Sequence, residues 1–438
     1  MSDVIHHDDM TSIDALILDA REARAALIDR MLLNHQAVVS IKANIPGQAK
    51  QVPEAYLLVR YACARFRTDD AQPITLIDGP DGPGFLFGYQ DKDAEGIKKT
   101  ACLLEEMDPW GRLIDIDVYG KSGILSRPQP RTCLLCDRPA FDCIRNHRHS
   151  EDDVKRQVTA LIEDRLPEIV EKVIRESIQA ELDLHPKFGL VTPFSTGSHP
   201  DMDYTLMKRA SETIIPFLEK MFFAGWGQTD LEVLLPKIRA KGIAAEQAML
   251  ESTGGINAYR GLIFSLGLML ASCGYSLGRA GDFSDLFTTV AKMTTGLTTE
   301  LLSGGNSDGK TAYQRYHITG ARGEAEQGFP SVREALFHLK TDSWEDRMRT
   351  LTFLIGRVED TVLLKRCGSF EKYREVQDTF ANWKDYSSEA LEELTKRCMA
   401  NRLSFGGSAD LLALSIFVRK FSTLFYFWYQ DETAFTNS

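Results

Sequence analysis

Gly111-Arg-Leu-Ile-Asp115-Ile-Asp117-Val118 alternates apolar and acidic side chains, the period of two expected of a half-buried strand. On such a strand Asp115 and Asp117 share one face, about 6.6 Å apart along the chain. Upstream, Leu16, Ala20, Ala23, Leu27 and Met31 recur at helical spacing from Asp14 to Leu33. Ala37-Val-Val-Ser-Ile41 then reads as a strand that stops at Pro46-Gly47. Pro80-Asp-Gly-Pro-Gly84 is turn-rich, and Asp93 to Met107 reads as helix. The first part of the chain is therefore mixed α+β.

Downstream, Ser150 with Asp153 three residues on has the form of a capping box. A helix follows through Val154, Val158, Leu161 and Ile162, with Pro167 expected to interrupt it before helical periodicity resumes from Ile169 to about Leu182. The domain junction is placed in this helical stretch, giving domains over 1–165 and 166–438. Beyond His185 come long helical runs punctuated by glycine, at 214–223, 244–250, 259–272, 283–302, 332–339, 344–358, 387–402 and 411–428. Strand signals are scarce, so the second domain reads as all-α.

At 438 residues the chain exceeds one ordinary core. A formal net charge of -11 argues against nucleic acid or an anionic membrane as main partner, although a local basic pocket can still hold phosphates. The N-terminus lacks a signal-peptide pattern and no run of about 18 uninterrupted apolar residues stands out. A cytoplasmic protein is the expectation, and its eight cysteines then read as metal ligands, reactive thiols or packing.

Paired carboxylates on one strand face can hold Mg²⁺ for nucleotidyl transfer, or can simply be the solvated side of an edge strand. Cys133, Cys136, Cys143 and His149, with His147 as a competing ligand, suit a closed Cys₃His zinc site. Their alternative is buried thiols beside a basic surface. Arg21 and Arg24 share a helix face that can clamp phosphates or form local ion pairs. Asn44-Ile-Pro-Gly47 with Lys50 is a turn able to present N–H groups and an ammonium. Gly304 to Thr311 matches the P-loop pattern through Gly309-Lys310-Thr311, but lacks a preceding strand signal and a clear helix start after it, and is read as a chance match or a mobile loop.

Arg131-Thr-Cys-Leu-Leu-Cys136-Asp-Arg-Pro-Ala140 with Cys143, Arg145 and His149, the Arg21-Glu22-Ala-Arg24 and Asn44–Gly47 segments with Lys50, and the Asp115/Asp117 pair resemble the phosphoribosyl-dephospho-CoA transferase that loads the citrate lyase acyl carrier protein. The resemblance implies a nucleotidyltransferase-type domain in which Asp115 and Asp117 are catalytic Mg²⁺ ligands, while Arg21, Arg24, Asn44, Lys50 and Arg127 bind substrate. The second half is similar to triphosphoribosyl-dephospho-CoA synthase through His185-Pro-Lys187, Asp201-Met-Asp203-Tyr204, Glu251 to Asn257, Gly320 to Glu326 with Gly328 to Ser331, and Gly406 to Leu412.

That likeness implies catalytic roles for Glu251, Glu324 and Glu326, since carboxylates can stabilise an oxocarbenium-like state when adenine leaves the ribose of ATP. It implies substrate-binding roles for Lys187, Asp203, Gly254, Gly255, Asn257, Arg260, Arg322, Asp360, Gly406, Gly407, Ser408 and Asp410. Phe188, Tyr259-Arg260 and Phe405 depart from the residues usual there.

The expected protein is a bifunctional transferase using ATP, 3′-dephospho-CoA and Mg²⁺, with apo-citrate lyase acyl carrier protein (the gamma subunit) as acceptor. The alternatives are the same chemistry serving malonate decarboxylase, or a non-catalytic zinc-containing interaction module.

Overall fold

The computed structural model describes residues 12–68, 70–71, 74–302 and 308–426. The chain divides into two compact units, one running to Leu166 and taking in the chain from Leu424, the other Pro167–Thr423. Residues 424–426 thus group with the first unit. There Phe425 lies against Tyr61 and the Arg60 guanidinium covers the Tyr426 ring.

The first unit is built from α1 (Ile13–Leu32), β1 (Ala37–Ala43), α2 (Pro53–Phe66), β2 (Ile74–Ile77), β3 (Gly84–Tyr89), α3 (Ala94–Met107), β4 (Ile114–Gly120), β5 (Gly123–Ile124), α4 (Ala140–Arg145) and the start of α5 (Glu151–Leu182). The five strands form one antiparallel sheet in the order β2-β3-β1-β4-β5. Register puts Val39, Ile41, Phe85, Phe87, Ile116 and Val118 on one face, and Phe66 of α2 packs against Phe87 there. On the other face α1 covers one end through Ile28 and Met31, which cluster with Val38 and Leu86. Ser40, Lys42, Asp115 and Asp117 lie on the same face.

Helix α5 opens as the capping signal predicts, with the Asp153 N–H donating to Ser150 Oγ at 3.1 Å. It does not break at Pro167, however: the helix is continuous over 32 residues with the proline inside. A proline removes one N–H bond, and here Leu166 and Val170 on either side of it are fully buried, so apolar burial offsets the loss.

The second unit continues from α5 with α6 (Tyr204–Gly225), α7 (Leu234–Thr253), α8 (Arg260–Leu277), α9 (Phe283–Met293), α10 (Asp308–Tyr316), α11 (Gly320–Glu326), α12 (Pro330–Ala335), α13 (Trp344–Arg357), α14 (Thr361–Cys367), α15 (Phe370–Ala381), α16 (Ser388–Ala400) and α17 (Gly406–Phe425). Among its described residues there is no strand, so the molecule is multidomain and mostly helical with one small sheet. The run expected over 283–302 ends at Met293 because Gly296 adopts a left-handed φ of 81° before the short 3₁₀ turn Leu297–Leu301. Helix α8 is long and apolar enough to cross a bilayer, and 78% of it is buried within the protein.

Helices α6 and α8 cross at glycines, where a Cβ on Gly225 would overlap the Ala271 carbonyl and one on Gly274 the Phe222 carbonyl. Gly274→Ala should push the helices apart and destabilise this unit by about 1–3 kcal/mol, read as a lower urea midpoint. An unchanged midpoint would contradict this packing.

Candidate active sites

In the first unit, the acidic alternation of β4 meets a cation on the neighbouring strand. Lys42 of β1 stands opposite Asp115, and Ser40 opposite Asp117, so side chains of each pair lie about 5 Å apart at Cβ. The Asp115 side chain is 45% exposed and takes the Arg131 guanidinium at 2.8 Å. Asp117 is more enclosed, and burial, reinforced by the Asp115 charge, pushes its carboxyl up to about 6. Among the described residues no donor hydrogen-bonds the Asp117 carboxylate. Two acids held this close, one without a donor, favour a cation between or beside them.

Helix α3 supports this strand from its outer edge. Glu105 accepts the Ile116 N–H at 2.7 Å and Lys98 donates to the Ile116 carbonyl at 3.0 Å, satisfying an edge that β5 does not reach. The Glu105 side chain is 2% exposed and is gripped by Arg127 and Arg131. Arg131 therefore ties the buried Glu105 to the exposed Asp115. Sequence reasoning missed Glu105, whose signal is only a glutamate inside a helix.

The phosphate clamp expected of Arg21 and Arg24 gathers on another residue that sequence reasoning missed. Asp81 accepts from Arg21 at 2.9 Å and Arg24 at 2.6 Å, with Lys42 at 3.3 Å. Lys42 also donates to the carbonyls of Asp81 and Gly82 at 2.6 and 2.7 Å. Gly84 makes room, since a Cβ there would lie 2.6 Å from Lys42 Cδ. Three cations on one carboxylate leave a positive cluster beside the acidic pair, and burial lowers Lys42 to about 8. Lys50 bonds the Ile45 carbonyl within the turn, while Asn44 is exposed at its start.

Cys133, Cys136, Cys143 and His149 come together as expected, their ligand atoms all within 4.8 Å of one another.

In the second unit, Lys187 donates to the Glu181 carboxylate at 2.8 Å and to its carbonyl at 2.9 Å; the two side chains are 2% and 6% exposed. Asp360 caps α14 by accepting from Val362 and Leu363 N–H, and takes Ser408 N–H at 2.9 Å and Oγ at 3.0 Å. Asp410 crowds Gly261 at the start of α8, where a Cβ would overlap its carboxylate. Burial holds Asp410 well above the usual carboxylate range, with the charges of Glu181 and Asp360 adding to it. Tyr259 is 3% exposed, and its buried hydroxyl has no hydrogen-bond partner among the described residues. Burial raises it, and Glu181 and Asp410 raise it further. The Lys187, Tyr259, Asp360 and Gly406–Asp410 segments thus meet at one buried polar centre, to which sequence reasoning had not assigned Glu181 or Tyr259.

Other expected residues surround helix ends instead. Glu251 is exposed and bonded to Gln247 at 3.0 Å. Glu324 holds Ser331 through Oγ at 2.5 Å and N–H at 3.2 Å at the start of α12; Glu326 accepts from Gly296 and Thr298 N–H at 2.6 and 3.0 Å. Arg322 lies half-buried on α11. Glu359, next to Asp360, accepts from Thr319 and Gly320 N–H, linking the start of α11 to the Asp360 segment. Asp203 caps α6 through Leu206 N–H at 2.7 Å. Gly254 and Gly255 turn the chain at φ of 70° and 92°, Asn257 accepts from Arg260 N–H at 3.1 Å, and Arg260 pairs with Glu246.

Residues 304–307 of the P-loop lookalike lie outside the described residues. Gly309, Lys310 and Thr311 sit in the first turn of α10, so a helix does follow, contrary to expectation; the structured segment before it is a 3₁₀ turn, not a strand.

The family model described as apo-citrate lyase phosphoribosyl-dephospho-CoA transferase matches residues 13–165, and that described as ATP:dephospho-CoA triphosphoribosyl transferase matches residues 167–427. A protein named CitXG from Haemophilus influenzae is 34% identical over 364 residues, 75% of this chain and 78% of its own length. One of the same name from Leuconostoc mesenteroides is 28% identical over 92% of this chain and 96% of its own. The 2-(5''-triphosphoribosyl)-3'-dephosphocoenzyme-A synthase of Haemophilus ducreyi is 33% identical over 65% of this chain and 98% of its own. With both models matched in tandem and a CitXG relative 34% identical over 78% of its own length, the chain belongs to the CitXG family of bifunctional transferases in citrate lyase prosthetic-group biosynthesis.

Proposed function

We propose that the face shared by β1 and β4 is a nucleotidyltransferase-type site that loads the acyl carrier protein of apo-citrate lyase. A carrier serine hydroxyl attacks the α-phosphorus of 2'-(5''-triphosphoribosyl)-3'-dephospho-CoA; the new O–P bond forms as the bond to pyrophosphate breaks, and a base takes the serine proton. Lys42, Arg21 and Arg24 bind the departing phosphates, for which they would exchange Asp81, and Asn44 and Lys50 line the entry turn. Asp115 and Asp117 would hold Mg²⁺, which when bound neutralises the phosphate chain. Arg127 and Arg131 keep Glu105 and Asp115 in place. The juxtaposition of an acidic pair and a triple cation cluster on one sheet face carries this reading. A second ion, Zn²⁺, would be held by Cys133, Cys136, Cys143 and His149, a soft donor set of four.

The second unit makes the intermediate from ATP and 3′-dephospho-CoA. The ribose 2′-hydroxyl of dephospho-CoA attacks C1′ of ATP, the C–N bond to adenine breaks, and a base takes the hydroxyl proton. Glu181 would meet the positive charge that develops on the sugar, with Asp410 lining the same centre, and Tyr259 would donate its hydroxyl to the bound ligand. Lys187, Arg260 and Arg322 offset triphosphate charge, again with Mg²⁺. The Gly254–Asn257 and Gly406–Ser408 turns admit the ligand closely, with Asp360 bracing the latter and Asp203 the start of α6. Glu324 and Glu326 act by holding the ends of neighbouring helices, and Glu251 meets solvent or the edge of the substrate. Both substrates are cytoplasmic metabolites, which suits a cytoplasmic enzyme.

Lys310 has no part in this chemistry, so Lys310→Ala should leave the initial rate of adenine release within about twofold; its loss would restore the P-loop reading. To test the whole proposal, the purified chain is incubated with ATP, Mg²⁺, dephospho-CoA and apo carrier protein. Pyrophosphate and loaded carrier should appear in equal amounts, with adenine at least equal to them, and pyrophosphate without carrier modification would contradict it.

A further inference from the structure

Between Arg131 and Ser150 the buried residues are Cys133 and Cys143 alone, while Phe141 and Ile144 point outward, 63% and 74% exposed. The segment therefore has almost no apolar core of its own. It is nonetheless sharply folded. Cys133 N–H donates to the Arg138 carbonyl at 2.7 Å, Ala140 N–H to the Arg131 carbonyl at 2.7 Å, and Arg148 N–H to the Cys143 carbonyl at 3.0 Å. Cys136 Sγ lies 3.5 Å from Cys143 Sγ and 3.4 Å from His149 Nε2, close to the spacing of about 3.5–3.8 Å that ligands 2.0–2.3 Å from one tetrahedral ion impose. The Leu135 N–H approaches Cys133 Sγ at 3.4 Å, a donor placed where a thiolate would be stabilised.

The fold of this loop ends on the carrier-loading site. The Arg131 carbonyl is one of its closing hydrogen bonds, and the Arg131 guanidinium bonds Asp115 and Glu105. Arg112 reaches the carbonyls of Thr132 and Cys133 from the turn before β4.

We propose that Zn²⁺ held by Cys133, Cys136, Cys143 and His149 positions Arg131, and through it orients Asp115 for the Mg²⁺ of the carrier-loading reaction. The proposal rests on the zinc and Mg²⁺ assignments above. Arg131 is a positioning residue, the hydrogen-bond partner that sets a ligating carboxylate, and loss of such partners costs about 10–100-fold in metal affinity or activity. The zinc would act one step further out, in place of a core.

The test uses the full chain as purified. Metal analysis should find about one zinc per chain, and replacement by Co²⁺ should give the intense near-ultraviolet thiolate-to-cobalt absorption. Carrier loading is then measured from premade triphosphoribosyl-dephospho-CoA as Mg²⁺ is varied. Arg131→Ala, still holding zinc, should raise half-saturating Mg²⁺ about tenfold or more, and Arg131→Lys less. Chelated, zinc-free protein should show the same rise, with no further rise when chelation is applied to Arg131→Ala. Adenine release by the second unit serves as the internal control. Absence of bound zinc and of the cobalt band would overturn the zinc assignment. If zinc binds but neither Arg131→Ala nor chelation moves half-saturating Mg²⁺, the zinc assignment survives and the positioning role falls.

Discussion

Asp117→Asn should lower carrier loading and pyrophosphate release by about a thousandfold, the scale of the several kcal/mol that metal-held charge contributes to a transition state, while adenine release continues. Asp117 sits on a strand whose backbone is fixed by β1 on one side and by Glu105 and Lys98 on the other, so an isosteric amide leaves the sheet intact. What changes is charge at an enclosed position that no donor satisfies among the described residues. Asp115→Asn should cost less, since Asp115 is the more exposed of the pair and the amide can still accept from Arg131. Pyrophosphate and adenine assays on the same preparations separate the two activities. Equal loss of both in a folded protein would contradict the assignment.

Lys187→Met should have the opposite signature, with adenine release falling at least about a hundredfold and carrier loading from premade intermediate continuing. It should also destabilise the second unit by about 3–5 kcal/mol, because Glu181 is left buried without its counter-charge. Pairing it with Glu181→Gln separates the two effects: removing both charges should recover much of the stability but none of the adenine release. Recovery of activity along with stability would reduce the pair to scaffolding.

How far these sites are legible in the sequence depends on whether their signal is local. The alternation of β4 is local, so Asp115 and Asp117 could be placed on one face directly; the thiols and His149 are close in the chain, and they meet. By contrast, α2 buries every residue from Leu57 to Cys63, and β3 is buried at all six positions. Neither leaves a polar face for periodicity to reveal. Asp81 reads only as part of a turn because its partners come from residues 21, 24 and 42. Pro167 misleads for the complementary reason: the proline rule is local, while the burial of Leu166 and Val170 is set by distant segments. In the second unit the glycine motifs mark places of close approach, but which carboxylates lie there depends on packing. Packing brings Glu181 and Asp410 together and spends Glu324 and Glu326 on helix ends.

The most direct test of two separate reactions in one chain is the intact mass of the carrier protein after incubation with Lys187→Met and Mg²⁺. With premade triphosphoribosyl-dephospho-CoA the carrier should gain the phosphoribosyl-dephospho-CoA mass, and with ATP and dephospho-CoA it should stay unmodified. Loading from both substrate sets at the rate of the unaltered chain, or from neither in a protein whose first unit is folded, would contradict it.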